Sequence, residues 1–328
     1  MKGCEEMTTL KMDYAVEVQH LCKDFGSFHA VSDLNFRIAR GEIFGLLGPN
    51  GSGKTTTLNM ISGLSDPTSG MVRVFGMNPR KQAMSVRRML GVVPQETALY
   101  EELTAQRNLA FHAELFGYRG RQKSERVEAM LALAQLQDRA KSRVKTFSGG
   151  MKRRLSIGRA LLHDPWLVYL DEPTLGVDVQ SRNVIWDYIL RMKQEGKSVL
   201  LTTNYLEEAN ALCDRIGILD KGQLIAEDTP TALKARFGSS VLALEVSCVS
   251  SDDVRNRLQR ITGVQSVETS DNRIIISLSG ISDGAAGALV PRLLGEVTGL
   301  GGLIRNMALR EPSLDEVFLS LTGKGVRD

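Results

Sequence analysis

A chain of 328 residues is long enough for one large domain and one small one. Apolar residues make up 42% and charged residues 24%, an ordinary globular balance, and a net charge of +3 gives no sign of an electrostatic grip on nucleic acid. The four cysteines (Cys4, Cys22, Cys213 and Cys248) are widely spaced with no C-x-x-C pair, which argues against a zinc or disulfide framework and for free thiols in a reducing compartment.

Residues 1–13 carry no apolar signal core and are expected to be a flexible N-terminus. From 14 to 238, short apolar runs alternate with helical periods, the pattern of an α/β sheet domain. Strands are predicted at 15–20, 34–38, 43–47, 71–75, 90–93, 167–170, 199–203, 216–219 and 223–226. The runs LVYLD and VLLTT are continuously apolar, as strands covered on both faces are. Between 96 and 164 helical periods dominate, EELTAQRNLAFHAELFG and KSERVEAMLALAQLQ among them, and an inserted helical subdomain is expected there. Its basic runs, RGRQKSER at 119–126 and Lys152-Arg153-Arg154, read as solvated helix faces.

From 239 to 328 the pattern restarts: strand, helix, hairpin around Asp271-Asn272, helix, strand, helix. That βαββαβα order predicts a small α+β accessory domain of the ferredoxin-like βαββαβ type. The apolar stretch 284–304 is broken by Pro291, Arg292, Glu296 and many glycines. No window reaches the run of about 18 apolar residues that crosses a bilayer. The chain is therefore expected in the cytosol, meeting a membrane only through a partner.

The segment GLLGPNGSGKTTT follows the predicted strand 43–47. Gly48, Gly53, Lys54 and Thr55 satisfy G-x-x-x-x-G-K-[ST]. Such a turn (Gly48, Pro49, Asn50, Gly51, Ser52, Gly53, then Lys54, Thr55 and Thr56 at the helix start) wraps a phosphate chain with backbone N–H groups at the positive end of a helix. Lys54 supplies a point charge for the β- and γ-phosphates, and Thr55 a hydroxyl for Mg²⁺. A mere glycine turn between strand and helix is the bland alternative, but the strand–loop–helix context that the motif demands is present. Downstream, WLVYLDEPT places Asp171 and Glu172 after four apolar residues. Two acids after a strand are more often helix caps. Paired with the phosphate loop, Asp171 reads as a Mg²⁺ ligand and Glu172 as the group that polarises water beyond the γ-phosphate.

Between the two motifs lies TFSGGMKRR at 146–154, which is similar to the signature loop of ABC ATPases. Motif order and spacing match that family from about residue 16 to 235. The resemblance implies a P-loop NTPase fold of the ABC type. It also implies a head-to-tail pair of ATPase chains, in which Phe147, Ser148, Gly149 and Gly150 of one chain close over ATP held by the other. Ser148 offers a hydroxyl and the glycines unobstructed amides at a helix start, which suits a second anion site. By the same resemblance Phe25 is the aromatic that stacks on adenine, although an isolated Phe is more often core. Gln95 contacts Mg²⁺, and Asp178 crosses the dimer interface. Val177 and Val179 stand where the family more often has Leu and Pro. Leu99, Tyr100 and Leu103 are contact candidates for a membrane partner's cytoplasmic helix; the neighbouring Leu109, Phe111 and Phe116 are as well explained by core packing.

One position departs from the family. After LLTT most members carry a histidine that touches the γ-phosphate and orients water; here it is Asn204. The four histidines, His20, His29, His112 and His163, all lie upstream. An amide both donates and accepts but cannot carry a proton. Three readings follow: a working neutral substitute, an ATP-driven clamp with little hydrolysis, or a weak site paired with a different ATPase. An engineered change from histidine is a fourth. Glu172 favours the first, because a site that no longer hydrolyses has little use for it. The ending EPSLDEVFLSLTG is similar to that of daunorubicin-type drug-resistance and antibiotic exporters.

The expected function is therefore the ATP-binding and ATP-hydrolysing subunit of an exporter, with ATP and Mg²⁺ at the site. Its expected partners are a membrane-spanning permease and a second ATPase chain, with no nucleic acid. Its expected place is the inner face of the cell membrane, held through the permease. The alternatives are the clamp and a soluble ABC ATPase outside transport.

Overall fold

The alternation at the start of the chain predicts two short strands, and the computed structural model shows two long ones. β1 (Tyr14–Phe25) and β2 (Phe28–Ala39) form one hairpin of twelve-residue strands. Its register shifts between Val18 and Leu21, beside His20 at φ 46° and Asp33 at φ 49°. Bulges of this kind break the period-two pattern and hide the strand's continuation from the sequence. The structure describes residues 13–247, 251–270, 272–279, 285–310 and 312–323. Residues 1–12 of the expected flexible segment, Cys4, Cys248 and Asp271 of the expected hairpin lie outside the described residues.

After the hairpin come β3 (Ile43–Leu47), α1 (Lys54–Ile61), β4 (Ser69–Val74), α2 (Ala83–Met89) and β5 (Leu90–Val93). Three helices follow, α3 (Ala105–Leu115), α4 (Gly120–Leu133) and α5 (Gly149–Leu161). The sheet then resumes with β6 (Leu167–Asp171), α6 (Val179–Gln194), β7 (Ser198–Thr202), α7 (Leu206–Leu212), β8 (Arg215–Asp220) and β9 (Gln223–Asp228). Two sheets result. β2-β1-β4 is antiparallel, and the six-stranded sheet runs β5-β6-β7-β3-β8-β9. The pairs β5/β6, β6/β7, β7/β3 and β3/β8 are parallel. Every residue of β3 and β7 is buried, which is why their sequences are apolar but for the terminal Ser198 and Thr202 of β7.

The core of this unit lies between the two sheets. Phe36 of β2 stacks on Phe44 of β3 with ring centroids 5.4 Å apart and planes 8° apart. Around them pack Leu34, Ile38, Leu46, Leu58, Val72 and Leu219.

The chain divides into two compact units between Glu227 and Asp228. The second holds α8 (Pro230–Phe237), β10 (Ser239–Ser247), α9 (Ser251–Leu258), β11 (Val264–Ser270), β12 (Arg273–Ser279), α10 (Ala285–Gly299), β13 (Leu303–Arg310) and α11 (Leu314–Thr322). Its sheet is antiparallel in the order β11-β12-β10-β13. With helices after its first and third strands, this is the split βαβ arrangement expected of the C-terminal region. Leu242, Leu244 and Val246 alternate inward with Ile274, Ile276 and Leu278 against Val254, Leu258, Leu293 and Val297. α8 packs on α11, which opens with a Ser313–Glu316 capping box. Among the described residues no helix is long and apolar enough to cross a membrane.

Phe44 is fully enclosed in the core between the two sheets. Phe44→Ala is expected to cost about 3–5 kcal/mol in urea denaturation, while Leu64→Ala, at a residue 71% exposed, costs less than about 1 kcal/mol.

Candidate active site

β3 delivers the chain to Gly48, and α1 begins at Lys54. The turn between them is tight. A Cβ at Gly48 would lie 2.3 Å from Ser52 Oγ and 2.5 Å from the Leu219 carbonyl oxygen. At Gly53, φ is 101° and a Cβ would lie 2.6 Å from the Ala30 carbonyl oxygen. Only glycine fits both positions. The Gly222 amide, in the β8–β9 turn, donates to the Ser52 carbonyl at 3.0 Å and braces the loop from behind.

The loop's polar groups face one way chemically. α1 has no acidic residue in its first turn and no side-chain cap. Ser52 Oγ is buried without a hydrogen-bond partner among the described residues. Lys54 Nζ donates to the carbonyls of Gly48 at 2.5 Å and Pro49 at 3.0 Å. Burial lowers the Lys54 pKa, and Glu172 and Asp171 pull it back up. Uncapped amides, an unpaired buried hydroxyl and an ammonium around one turn fit a polyphosphate.

β6 brings the acids to the same edge of the sheet. Asp171 Oδ1 accepts from Thr202 Oγ1 at 2.5 Å. Glu172 follows at φ 44°, in the left-handed region, with its amide donating to the Thr202 carbonyl at 2.9 Å. A non-glycine residue held there is strained, a condition that clusters at functional sites. Glu172 Oε1 accepts from Asn204 Nδ2 at 2.5 Å, and Oε2 accepts from Gln95 Nε2 at 3.4 Å. A carboxylate accepts only, so Asn204 turns its NH₂ end to Glu172. Its Oδ1 is buried with no partner among the described residues. Burial raises the Glu172 pKa and neighbouring Asp171 adds to this, while Lys54 and Arg153 oppose it. Asn50, Gly51, Gly53, Lys54, Thr55, Thr56, Gln95, Asp171 and Glu172 line one cavity of about 230 Å³, with Phe28 and Ala30 beside them.

Several sequence-predicted residues stand elsewhere. Phe25 does not line the cavity; Phe28, its cross-strand partner, does. Both rings are more than half exposed, and the Lys23 ammonium lies 5.0 Å from the Phe25 centroid. Phe28 escaped the sequence reading because only the hairpin turn brings it opposite Phe25. Ser148 caps α5, its Oγ accepting from the Met151 amide at 3.3 Å. Asp178 caps α6 and accepts from the Ser181 amide and hydroxyl, each at 2.9 Å, which lowers its pKa. Gly150 is where these two helix starts meet: a Cβ there would lie 2.6 Å from Ser181 Oγ. Ser148, Gly149, Gly150 and Asp178 do not line the cavity of their own chain. Phe147, expected as a nucleotide contact, also stands outside that cavity. It is 6% exposed with the Arg139 guanidinium 5.9 Å from its ring centroid, so it supports the loop from beneath.

A correction concerns the basic run at 152–154. Lys152 pairs with Glu101 at 2.5 Å, but Arg153 is 3% exposed. Its guanidinium donates to the carbonyls of Pro173 at 2.9 Å, Pro94 at 2.5 Å, Gln95 at 3.2 Å and Asp171. One side chain on α5 thus clamps the segments that carry Gln95 and Asp171. Burial lowers its pKa to about 10, and it stays charged at neutral pH with Asp171, Glu208 and Glu172 near it. Nothing in KRR separates this arginine from its half-buried neighbours.

Comparison with known proteins bears on the same residues. A model of the ABC transporter family matches residues 31–175, and a model of the C-terminal domain of DrrA1-3-like ATP-binding proteins matches 229–322. The linearmycin resistance ATP-binding protein LnrL of Bacillus subtilis (strain 168) is 38% identical over 95% of this chain and 100% of its own length. The daunorubicin/doxorubicin resistance ATP-binding protein DrrA of Streptomyces peucetius is 38% identical over 96% of this chain and 94% of its own. Among solved structures, a dimeric ATP-binding cassette in a post-hydrolysis state, bound to ADP and Pi, is 29% identical with a TM-score of 0.60, over 65% of this chain and 98% of that one. The chain belongs to the ABC transporter family: it is an ATP-binding protein with a DrrA1-3-like C-terminal domain, and it is an ATPase.

Proposed function

We propose that the chain is the ATP-hydrolysing subunit of an exporter, driving a separate membrane-spanning permease for drugs, antibiotics or lipid-like cargo. The observation that carries this reading is the single cavity shared by Lys54, Thr55, Gln95, Asp171 and Glu172. Support for export comes from the two resistance proteins matched over nearly the whole chain.

The phosphates of ATP are held by the amides of 49–56 and by Lys54, which offset the charge that builds during γ-phosphoryl transfer. Thr55, Gln95 and Asp171 would hold Mg²⁺. The set fits that ion, which binds through one or two carboxylates plus phosphate and water oxygens. When bound, it would neutralise the β- and γ-phosphate oxygens. Glu172 accepts a proton from, or polarises, the attacking water. Asn204 steadies Glu172 with one N–H, and its unpaired Oδ1 and second N–H face the task of ordering water and sensing the γ-phosphate. Ser148, Gly149, Gly150 and Asp178 serve the site of a second chain, which explains their absence from their own cavity. ATP between two chains closes the pair, and hydrolysis reopens it. The permease holds the assembly at the inner membrane face. Tyr100, 55% exposed and edge-to-face with Phe111 at 5.3 Å, joins Leu99 and Leu103 as its contact surface. No nucleic acid takes part.

With its permease, the protein is expected to show Mg²⁺-dependent ATP turnover that Glu172→Gln lowers at least about 10²-fold while Mg·ATP still binds. If the unaltered assembly turns over no faster than Glu172→Gln, the clamp reading replaces this one.

The raised Glu172 pKa sets a second expectation. Above its folded pKa the ionised carboxylate is held less well in the fold than in the unfolded chain, so it subtracts stability; the loss fades as pH falls toward the ordinary value of 4.5. Glu172→Gln should therefore melt above the unaltered chain at pH 7, with the gap closing by acid pH in thermal scans. Asn204 does not titrate, so Asn204→His should introduce an inflection near about 6.5 in the pH profile of kcat that the unaltered protein lacks.

A further inference from the structure

Glu208 on α7 is fully enclosed. A buried carboxyl needs a reason. Helix capping does not supply one. The exposed Glu207 already places an acid in the first turn of α7, and the Tyr205 amide donates to Thr203 Oγ1 at 3.0 Å rather than to Glu208. The carboxyl instead reaches away from its own helix. Oε1 accepts from Thr174 Oγ1 and from Trp186 Nε1, each at 2.9 Å. The Thr203 hydroxyl faces the same group.

Each partner belongs to a different functional segment. Thr174 lies between Glu172 and Asp178. Trp186 is on α6, the helix that Asp178 caps. Thr203 adjoins Asn204. Arg182, also on α6, places its charge near the carboxyl and its guanidinium 5.0 Å from the Tyr205 ring centroid.

We infer that Glu208 is a positioning residue that joins the segments bearing Glu172, Asn204 and Asp178 into one mechanical unit, so that a change at the γ-phosphate reaches the residue facing the second chain. It does not line the site cavity and acts through Thr174 and Trp186. The inference rests on the site reading above. Two of its bonds end on Oε1, so an acceptor oxygen of carboxyl shape is what the position requires. Burial raises the Glu208 pKa, which agrees with a role that needs no negative charge.

The test uses the full chain with its permease and measures kcat, ATP affinity in EDTA by calorimetry, and Tm. Glu208→Ala is expected to lower kcat about tenfold or more, with ATP affinity within about twofold. Glu208→Gln, which keeps the acceptor, is expected to restore kcat to within about threefold of the unaltered protein. Thr174→Val is expected to lower kcat in the same direction, and Thr174→Val with Glu208→Ala to be no worse than Glu208→Ala alone, the non-additivity of a shared bond. Unchanged kcat in Glu208→Ala overturns the inference. So does an equal loss of kcat and ATP affinity, a failure of Gln to rescue, or multiplication of the two single effects. If Glu208→Ala does not fold, Thr174→Val and Trp186→Phe decide: kcat lowered at unchanged affinity supports the inference, and unchanged kcat in both overturns it. Glu172→Gln runs alongside. If it turns over normally, the site reading fails and takes Glu208 with it; if it is inactive while Glu208→Ala is normal, only the present inference fails.

Discussion

The parallel register of β6, β7 and β3 is the constraint on which the site depends. Asp171 of β6 sits opposite Thr202 of β7, and Leu201 of β7 opposite Gly45 of β3. Three neighbouring strands therefore end together and release their chains at one edge of the sheet. From β3 comes the phosphate loop, from β6 the acid pair, and from β7 the segment leading to Asn204. Ligands of open α/β sheets bind at this carboxyl edge because side chains from separate strands converge there without any one loop having to be long. The 2.5 Å Thr202–Asp171 bond and the Glu172 amide's bond to the Thr202 carbonyl are local consequences of that pairing.

Burial then sets the charges. Lys54 and Arg153 are pulled toward their neutral forms by desolvation, Glu172 toward its protonated form, and each is held back by the others. A cluster of this kind is poised rather than neutralised: two acids and two bases share one low-dielectric corner. Arg153 also does backbone work. Its four carbonyl acceptors tie the ends of β5 and β6 to α5, so that helix and the segments carrying Gln95 and Asp171 share one anchor. In the C-terminal unit the residues explain a packed sheet and its helices, and its chemistry stays that of a core.

What the sequence makes legible follows from how local each signal is. GPNGSGKT announces a turn whose glycines have no substitute, and LVYLDE announces a buried strand ending in acids; both are local chemistry. The length of β1 and β2 is not local, because bulges near His20 and Asp33 interrupt the alternation that marks a strand. Arg153 reads as one more surface cation until α5 is packed against two strand ends. Glu208 reads as an ordinary first-turn acid until α6 is brought beside α7. The pairing of Asn204 with Glu172 depends on β6 lying next to β7, a fact of sheet order that neither segment contains. Phe28 and Phe147 make the same point from opposite sides: a hairpin turn carries the first to the cavity, and the helical packing encloses the second.

The account turns on a triphosphate and its metal being held jointly by the 48–55 turn and Asp171. Calorimetric titration of ATP into the intact chain, with and without Mg²⁺, compared with the same titrations of Asp171→Asn, measures that joint hold directly. The account predicts that Mg²⁺ tightens ATP binding to the unaltered chain and that Asp171→Asn loses this tightening while keeping the metal-free affinity. ATP binding that ignores Mg²⁺ in the unaltered chain, or a tightening that survives Asp171→Asn intact, would contradict it.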